Sequence, residues 1–400
     1  MSIDILIVST YSSKTSAAFR RITFFKSFLC KKSFSVECLM LPLLSIRGVK
    51  KPSNLCISSS VPIIATKSIL LSSILNMFLS FSIVPYFLIL KPRVVVLSVP
   101  MYYPLIPVYL ASKLCKAKII VDMRDPWEEV CVHSSAICNK YDRIAVKHVV
   151  RKINYAIYRR ANVMIAVTKA LGAILEKIFN RKVFIVANGA DLETFKPIDK
   201  EEARRYFQLK ENDFIIVYMG TVGTYYRLTE VLNVLKNLKR KLAQKITVKL
   251  LVAGTIVDSL HKSFFKAISD PDIIYLGELH LDKLKIILSA SDAGLIPRIE
   301  DPIFDYAIPA KFYEYIAMGL PVLALCRKES ELARLIIKNG LGLVCEAPDV
   351  QCIEEALTTL AINHNIYVKL KENAIRYRKY VDRKIGGEIL SAIVRRLMQQ

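Results

Sequence analysis

Apolar residues along this chain form short runs, many rich in valine and isoleucine, that alternate with longer stretches of helical spacing. The runs in the first half predict strands over residues 3–8, 35–40, 94–98, 119–122, 163–167 and 183–186. The runs in the second half predict strands over residues 214–219, 248–253, 273–276, 293–296, 322–325 and 343–344. Stretches such as residues 17–30 and 384–398 have helical spacing, and this alternation favours an α/β fold with helices on both faces of a parallel sheet.

Chain length and polarity indicate how these elements divide. The 400 residues are enough for two domains of ordinary size. A polar stretch over residues 197–213 separates the two series of strands and is the predicted linker. We therefore predict an N-terminal domain over residues 1–196 and a second domain over residues 213–380.

The charge is strongly positive and unevenly distributed. The net charge is +23, and residues 1–200 hold 29 basic against 11 acidic side chains, whereas residues 201–400 hold 29 against 24. Such a basic half indicates a polyanionic partner or surface. No zinc finger, helix-turn-helix pattern or basic run interleaved with aromatic residues is present, so we predict no nucleic-acid partner. Anionic lipid headgroups fit this charge better.

Residues 68–90 contain no charged side chain and are flanked by Lys67 and Lys91. The length would allow a membrane span, but Asn76, Pro85 and several serines argue against one, and a predicted strand follows directly. A buried core helix and a helix lying in the plane of a membrane remain open. Five neighbouring basic residues favour the in-plane helix: Arg47, Lys50, Lys51, Lys91 and Arg93.

A second basic segment covers residues 140–160, where lysine and arginine alternate with isoleucine and valine. A solvated helix packed on the core and a helix in contact with a membrane explain this pattern equally well.

Cysteine usage and the N-terminus bear on location. The nine cysteines show no C-x-x-C pair and no metal-ligand spacing with histidine, which favours free thiols in a reducing cytosol. Residues 3–8 begin a strand and do not resemble the apolar core of a signal peptide. With the charge and the uncharged segment, these features predict a cytoplasmic protein held peripherally on the inner face of the cell membrane.

One stretch, P-A-K-F-Y-E-Y-I-A-M-G-L-P-V-L over residues 309–323, combines a helix start with opposite charges. Pro309 suits the first turn of a helix, and Gly319 suits its end. Lys311 and Glu314 are three residues apart and therefore share one face. A lysine at a helix N-terminus favours a diphosphate, and the glutamate can accept hydrogen bonds from a pair of sugar hydroxyls. A solvated surface Lys–Glu pair is the alternative.

Four other segments accompany this stretch in a characteristic order. They are V-D-M-R-D-P-W at 121–127, A-N-G-A-D at 187–191 with Phe195 and Pro197, M-G-T at 219–221, and S-D-A-G-L-I-P at 291–297. Together the five resemble the motifs of retaining glycosyltransferases of the GT-B fold, of the family-4 type (glycosyl transferases group 1). The resemblance implies two doubly wound Rossmann-like domains facing a cleft, with the final helix over residues 384–400 returning to the N-terminal domain.

The resemblance also implies an activity. A nucleotide-sugar donor binds the C-terminal domain, and the sugar passes with retention to an acceptor on the N-terminal domain, without a metal or other cofactor. The chain has no D-x-D pair of the metal-binding type, which agrees with this. The basic domain and the apolar segment point to an acceptor that is lipid-linked or a cell-surface glycan precursor. Two alternatives are a sugar-nucleotide epimerase of the same fold and a catalytically weak binding subunit.

By resemblance, two cations stabilise the leaving diphosphate. Lys311 is one, and Arg227 fills the second position of the family's basic pair, whereas Thr221 departs from the arginine usual at the first. Gly220 and Gly223 allow phosphate to approach the backbone.

The sugar and base positions also follow the family's pattern. Glu314 matches the glutamate expected on the ribose, with Phe312 beside it in the same motif. Tyr306 replaces the family's first glutamate, next to Asp305, which leaves the identity of the sugar open. Gly277 and Leu279 are expected near the base.

In the N-terminal domain, the resemblance places Arg124 and Asp125 in the catalytic set, with a structural Arg–Asp turn as the alternative. Many relatives carry a histidine at the position of Arg124. The family's glycine-rich first loop is replaced by residues 10–16, so acceptor contacts there are expected to differ.

Overall fold

The computed structural model describes residues 2–10, 17–41, 43–45, 48–49, 57–58, 63–65, 69–100, 105–133, 140–223, 226–242, 246–256, 270–346 and 349–400. The chain divides into two compact units. The N-terminal unit consists of Met1–Ala187 with Lys384–Gln400, and the C-terminal unit consists of Asn188–Arg383. The first loop considered above, residues 11–16, and the basic residues Arg47, Lys50 and Lys51 lie outside the described residues.

The N-terminal unit contains one large parallel sheet with the order β10–β9–β8–β7–β1–β2–β5. Its strands are β1 (Ile5–Thr10), β2 (Val36–Leu41), β5 (Ile57–Ser58), β7 (Val94–Val99), β8 (Lys118–Met123), β9 (Val163–Ala166) and β10 (Phe184–Ile185). Its helices are α1 (Ala17–Lys31), α2 (Ile69–Ser80), α3 (Val84–Leu90), α4 (Leu105–Leu114), α5 (Trp127–His133), α6 (Lys140–Ala145), α7 (Arg151–Arg159), α8 (Lys169–Phe179) and α16 (Arg383–Met398). The valine-rich strand β7 is buried along its whole length, as a strand covered on both faces must be.

A small second sheet in this unit was not predicted from the sequence. Strand β3 (Leu43–Ser45) pairs antiparallel with β4 (Gly48–Val49) and parallel with β6 (Ile63–Ala65). These strands and β5 are only two or three residues long, and serine, proline and lysine separate them. Runs this short carry no clear period, so only their pairing identifies them.

The C-terminal unit contains a six-stranded parallel sheet with the order β13–β12–β11–β14–β15–β16. Its strands are β11 (Asp213–Met219), β12 (Thr247–Ala253), β13 (Ile273–Tyr275), β14 (Ala293–Pro297), β15 (Val322–Leu325) and β16 (Gly342–Cys345). Its helices are α9 (Lys200–Tyr206), α10 (Leu228–Leu242), α11 (Leu281–Ala290), α12 (Ala310–Ala317), α13 (Glu331–Asn339), α14 (Val350–Ile362) and α15 (His364–Tyr377). Separate apolar clusters lie on its two faces, so the predicted doubly wound α/β fold is confirmed.

The uncharged segment forms no single long helix. α2 ends at Ser80, a 3₁₀ turn covers Phe81–Ile83, and α3 follows with Pro85 in its first turn. Within the described part of the chain, no helix has the length and apolarity needed to cross a membrane. The basic segment is also divided, because a π-helical turn at Val146–Val150 separates α6 from α7.

The cysteines correct one expectation. Cys345 at the end of β16 and Cys352 in α14 form a disulfide, and Cys131 is also disulfide-bonded. Cys30, Cys38, Cys115 and Cys326 are free thiols. Spacing in the sequence did not reveal the Cys345–Cys352 pair, because a strand end and the first turn of the following helix meet only in the folded unit.

Candidate active site

The strand order of the C-terminal unit reverses at β11. From β11 the chain builds β12 and β13 on one side and then returns to place β14, β15 and β16 on the other. In open parallel sheets, ligands bind outside the carboxyl ends of the strands at such a switch point. Gly220 follows β11 and Arg298 follows β14, and the N–H of Arg227 donates to the carbonyl of Pro297 across the same edge (2.7 Å). The candidate site therefore lies at the carboxyl ends of β11 and β14.

Lys311 reaches this edge from the first turn of α12. Its ammonium lies over two aromatic rings, 4.1 Å from the centroid of Tyr218 and 4.3 Å from that of Tyr226. A Cβ atom on Gly220 would stand 3.1 Å from the Lys311 Nζ, so the ammonium lies directly beside the Gly220 turn. The side chain is 7% exposed, and Nζ has no hydrogen-bond partner among the residues that the structure describes.

The surroundings of Lys311 disfavour its charge. Burial, together with the positive charge of Arg298, lowers the pKa of Lys311 to about 7, and Glu314 opposes the shift. Desolvation penalises the charged form, and the faces of two tyrosine rings recover only part of that loss. A bound anion at Gly220 would supply the missing counter-charge.

Three glycine turns line the same edge of the sheet. Gly220, Gly254 and Gly277 follow β11, β12 and β13, and each has a positive φ. The Gly220 N–H donates to Ala253 and the Gly254 N–H donates to Gly277, which ties the turns into a row. Gly254 was not predicted as a site residue, because it falls in no motif. Its signal is local: a single glycine at the end of a buried strand.

Two arginines accompany Lys311. Arg227 forms an ion pair with Glu230 at 3.0 Å and is partly exposed. Arg298 stacks its guanidinium over Phe304 and donates to the carbonyls of Phe304 and Ala307. Arg298 was missed in the sequence, although it directly follows the S-D-A-G-L-I-P motif. The backbones of Tyr226 and Arg298 pair in an antiparallel bridge, which brings the two basic segments together.

The remaining residues of α12 and of the preceding segment differ in accessibility. Glu314 is buried one turn after Lys311, and Phe312 is fully buried within an apolar cluster. The Phe312 side chain therefore packs α12 against the core, and only the Phe312 backbone is available to a ligand. Tyr306 is also buried, and Asp305 pairs with Arg327 at 3.1 Å.

Other predicted positions are distributed as follows. Thr221 is exposed, and its carbonyl accepts a hydrogen bond from the Tyr218 hydroxyl. The Gly223 carbonyl accepts from the N–H of Tyr226 at 3.1 Å. Leu279 is half-buried and packs against the core beyond Gly277.

Arg124 and Asp125 belong to the N-terminal unit and follow β8 at its carboxyl end. The Arg124 N–H donates to the carbonyl of Val99 at 3.2 Å, and the Asp125 side chain is exposed. The last carboxylate of β8, Asp122, forms a buried bidentate pair with Arg21, which holds this edge of the sheet.

One pair of aspartates does have the D-x-D spacing, at Asp270 and Asp272. Both carboxylates pair with the ammonium of Lys239, at 3.0 Å and 2.6 Å, which offsets one of their two negative charges. Among the described residues, no group of three His, Cys, Asp or Glu side chains could hold a metal ion.

Comparison with known proteins identifies the unit that carries this site. Residues 199–377 match the model of the family described as glycosyl transferases group 1. The C-terminal unit carries a glycosyl transferases group 1 domain. The chain is also 26% identical over 216 residues to a protein named probable glycosyltransferase WbjE from Pseudomonas aeruginosa. That alignment covers 52% of each protein, so the chain spans about half the length of this curated relative.

Solved structures extend the likeness to the fold of the whole chain. A sucrose-phosphate synthase from Thermosynechococcus elongatus superposes with a TM-score of 0.72 at 14% identity, covering 99% of both chains. The Anabaena protein HepE, solved in complex with UDP-glucose, superposes with a TM-score of 0.68 at 12% identity, covering 98% of this chain and 99% of its own. The GT-B fold is therefore confirmed, and the epimerase alternative is not favoured.

Proposed function

We propose that this chain moves a sugar from a nucleotide-sugar donor to an acceptor with retention of the anomeric configuration. The observation that carries the proposal is the buried ammonium of Lys311, which lies beside the Gly220 turn without a hydrogen-bond acceptor among the described residues. A buried cation at a switch point calls for an anion. The diphosphate of a nucleotide sugar supplies one, and HepE is solved with UDP-glucose.

The chemistry follows from the charge that develops during transfer. As the bond between the anomeric carbon and the diphosphate oxygen breaks, negative charge accumulates on the leaving nucleoside diphosphate. Positively charged groups already in place stabilise this charge without reorganisation. Lys311 and Arg227 take this role, the glycine turns admit the phosphates close to the backbone, and Glu314 accepts hydrogen bonds from the ribose. No step in this scheme requires a metal ion.

Lys311 also compensates for a departure from the family pattern. The family's arginine after the first strand is replaced by Thr221, which leaves that position uncharged. The Lys311 ammonium is brought to the neighbouring Gly220 from another helix. The positive charge is thus kept at the turn while the residue that supplies it changes, which supports an active enzyme over a weak binding subunit.

We propose a lipid-linked acceptor, or a precursor of a cell-surface glycan, bound by the basic N-terminal unit with Arg124 and Asp125 in the catalytic set. Attachment to the inner face of the cell membrane would bring the enzyme to such an acceptor. The support is the excess of basic residues in the first half and its uncharged segment.

The test compares charge-removing variants with a matched surface control. Lys311→Met and Arg227→Met remove one cation each with little change in volume, and Lys338→Met removes an exposed lysine elsewhere in the same unit. Losing a charged hydrogen bond costs about 1.5–3 kcal/mol of donor binding. Losing a preorganised contact to a developing anion costs about 10²–10³-fold in turnover. We expect Lys311→Met to weaken binding of UDP-glucose in calorimetry and Arg227→Met to lower turnover far more than binding.

Two further measurements test mechanism. Activity is expected to persist with a chelator, and the product anomer, read by NMR, is expected to match that of the donor. The proposal fails if no nucleotide sugar in a panel raises the melting temperature. It also fails if Lys338→Met reduces donor binding as much as Lys311→Met, or if magnesium is required after chelation.

A further inference from the structure

α2, the first helix of the segment 69–90, buries polar side chains and exposes apolar ones. In α2 the polar residues Asn76 and Ser80 are fully buried, and the Ser80 hydroxyl donates to the Asn76 carbonyl within the helix. Phe78 on the opposite side is 68% exposed, and Ile89 in α3 is 66% exposed. A helix on a water-exposed surface normally turns its polar residues outward. The outward face of this segment is therefore built for a medium less polar than water.

The neighbouring helices continue this apolar surface. α4 contacts both α2 and α3, α6 contacts α2, and α7 contacts α4. Each contributes exposed apolar side chains, including Leu114 at 65% and Tyr141 at 83% exposure. More than half of the exposed large apolar side chains that the structure describes fall within residues 74–153. We call the following set the apolar face: Ile74, Leu75, Phe78, Leu79, Phe81, Leu88, Ile89, Leu110, Leu114, Tyr141, Ile144, Val149 and Ile153.

The charge on α2, α3 and α4 has a single sign. No acidic residue occurs between Glu37 and Asp122, so α2, α3 and α4 carry none. Exposed lysines lie on or beside the same helices: Lys91, Lys113, Lys116, Lys140, Lys147 and Lys152. Exposed apolar side chains that share their helices with exposed lysines match the two layers of an anionic lipid surface, with acyl chains inside and charged headgroups outside.

We propose that the apolar face inserts into one leaflet of an anionic bilayer, with the surrounding lysines on the headgroups. Breaks at the 3₁₀ turn and at the π-helical turn keep these helices too short to cross a bilayer, which leaves an in-plane orientation for them. A second copy of the chain fits this face less well, because the charges on and beside α2, α3 and α4 are all positive and two such surfaces repel one another. The proposal deepens the proposed function, because it specifies the surface through which a lipid-linked acceptor would be reached.

Vesicle flotation tests the apolar face without any measurement of glycosyl transfer. The probe is a vesicle of phosphatidylcholine with phosphatidylglycerol, compared with one of phosphatidylcholine alone. The double variant Phe78→Gln/Ile89→Gln changes two exposed positions, and Ile337→Gln/Tyr380→Gln changes two comparably exposed positions in the C-terminal unit. Burying one such side chain corresponds to about a tenfold change in partitioning or more. We expect the first double variant to lose about 100-fold in vesicle affinity and the second to match the parent.

A fluorescent probe locates the contact. In Phe78→Trp, emission is expected to shift to the blue with anionic vesicles and to be quenched by brominated lipid, whereas Tyr380→Trp is expected to remain unchanged. Lys113→Gln/Lys147→Gln is expected to weaken binding and to reduce its dependence on salt.

Several outcomes would overturn the proposal. The first is that the parent does not float with anionic vesicles, and the second is that both double variants lose vesicle affinity equally. The third is that sedimentation shows the parent to be a dimer and shows Phe78→Gln/Ile89→Gln to be a monomer. Calorimetry with UDP-glucose, measured without lipid, separates failure of this proposal from failure of the donor site.

Discussion

At the scale of single residues, the candidate site depends on one lysine held in an environment that disfavours its charge. Lys311 is buried beside the rings of Tyr218 and Tyr226, and with a pKa of about 7 it gains or loses its proton near physiological pH. The ordinary pKa of a lysine is about 10.4, so a bound anion would bring the ammonium back toward that value. Donor binding and proton uptake are then coupled at the same atom.

The coupling predicts how donor affinity depends on pH. Below about pH 7 Lys311 is already protonated in the free protein, so this group makes no contribution to the pH dependence of donor affinity. Above it the proton must be taken up on binding, so affinity is expected to fall by up to about tenfold per pH unit. Calorimetry with UDP-glucose from about pH 6 to about pH 9 measures this, because its diphosphate does not titrate over that range.

Lys311→Arg is the control for this prediction, because an arginine keeps its proton throughout. Its affinity is expected to be nearly flat with pH, and that of Lys311→Met is expected to be weak and flat. A parent whose affinity does not change between the two ends of the range would contradict the assignment of the proton to Lys311.

At the scale of elements, the site is built by the turns that follow three parallel strands. The turns at Gly220, Gly254 and Gly277 keep backbone, and not side chains, at the carboxyl edge of the sheet. Gly254 is the most constrained, because a Cβ atom there would stand 1.9 Å from the carbonyl oxygen of Gly220. Gly277 has a positive φ as well, but a Cβ atom at that position would meet no atom within 4 Å among the described residues.

Two glycine-to-alanine variants separate backbone strain from steric conflict. Gly277→Ala introduces strain only, with an expected cost of about 1–2 kcal/mol. Gly254→Ala adds a clash between two backbone segments, and we expect it to lower the free energy of unfolding by more than about 4 kcal/mol. Denaturant unfolding of the purified variants compares them, and an equal cost at the two positions would show that the turn at Gly254 relaxes freely.

At the scale of the whole molecule, the chain passes between its two units twice, after Ala187 and after Arg383. The second passage leads into α16, which supplies Leu390, Ile393, Val394 and Leu397 to the core of the N-terminal unit. The last residues of the chain therefore stabilise the unit that contains the first residues. The candidate site lies in the other unit.

This arrangement predicts a separation of stability from donor binding. Leu390→Ala removes a fully buried side chain, and we expect it to destabilise the N-terminal unit by about 2–5 kcal/mol. Ile385→Ala, on the same helix but exposed, is expected to cost less than about 0.5 kcal/mol. Differential scanning calorimetry measures both. The affinity for UDP-glucose is expected to match the parent in each variant, and a loss in Leu390→Ala below its unfolding temperature would contradict this separation.

The sequence by itself determined the layers of this protein. Runs such as residues 94–98 and 322–325 are strands as predicted, because short continuous apolar runs are typical of the strands of a parallel sheet covered on both faces. Lys311, Glu314 and Arg227 could be singled out because motif spacing is local. The family assignment of the C-terminal unit followed from the same motifs.

Only the tertiary structure decided which distant residues share the site. Tyr218, Tyr226 and Arg298 surround Lys311 because the strand order reverses at β11, and no spacing along the chain encodes that order. The pKa of Lys311 depends on this burial, and the need for glycine at position 254 depends on the carbonyl of Gly220. The exposed side of α2 was likewise undetermined by composition, because an uncharged helix reveals which face is buried only after it has packed.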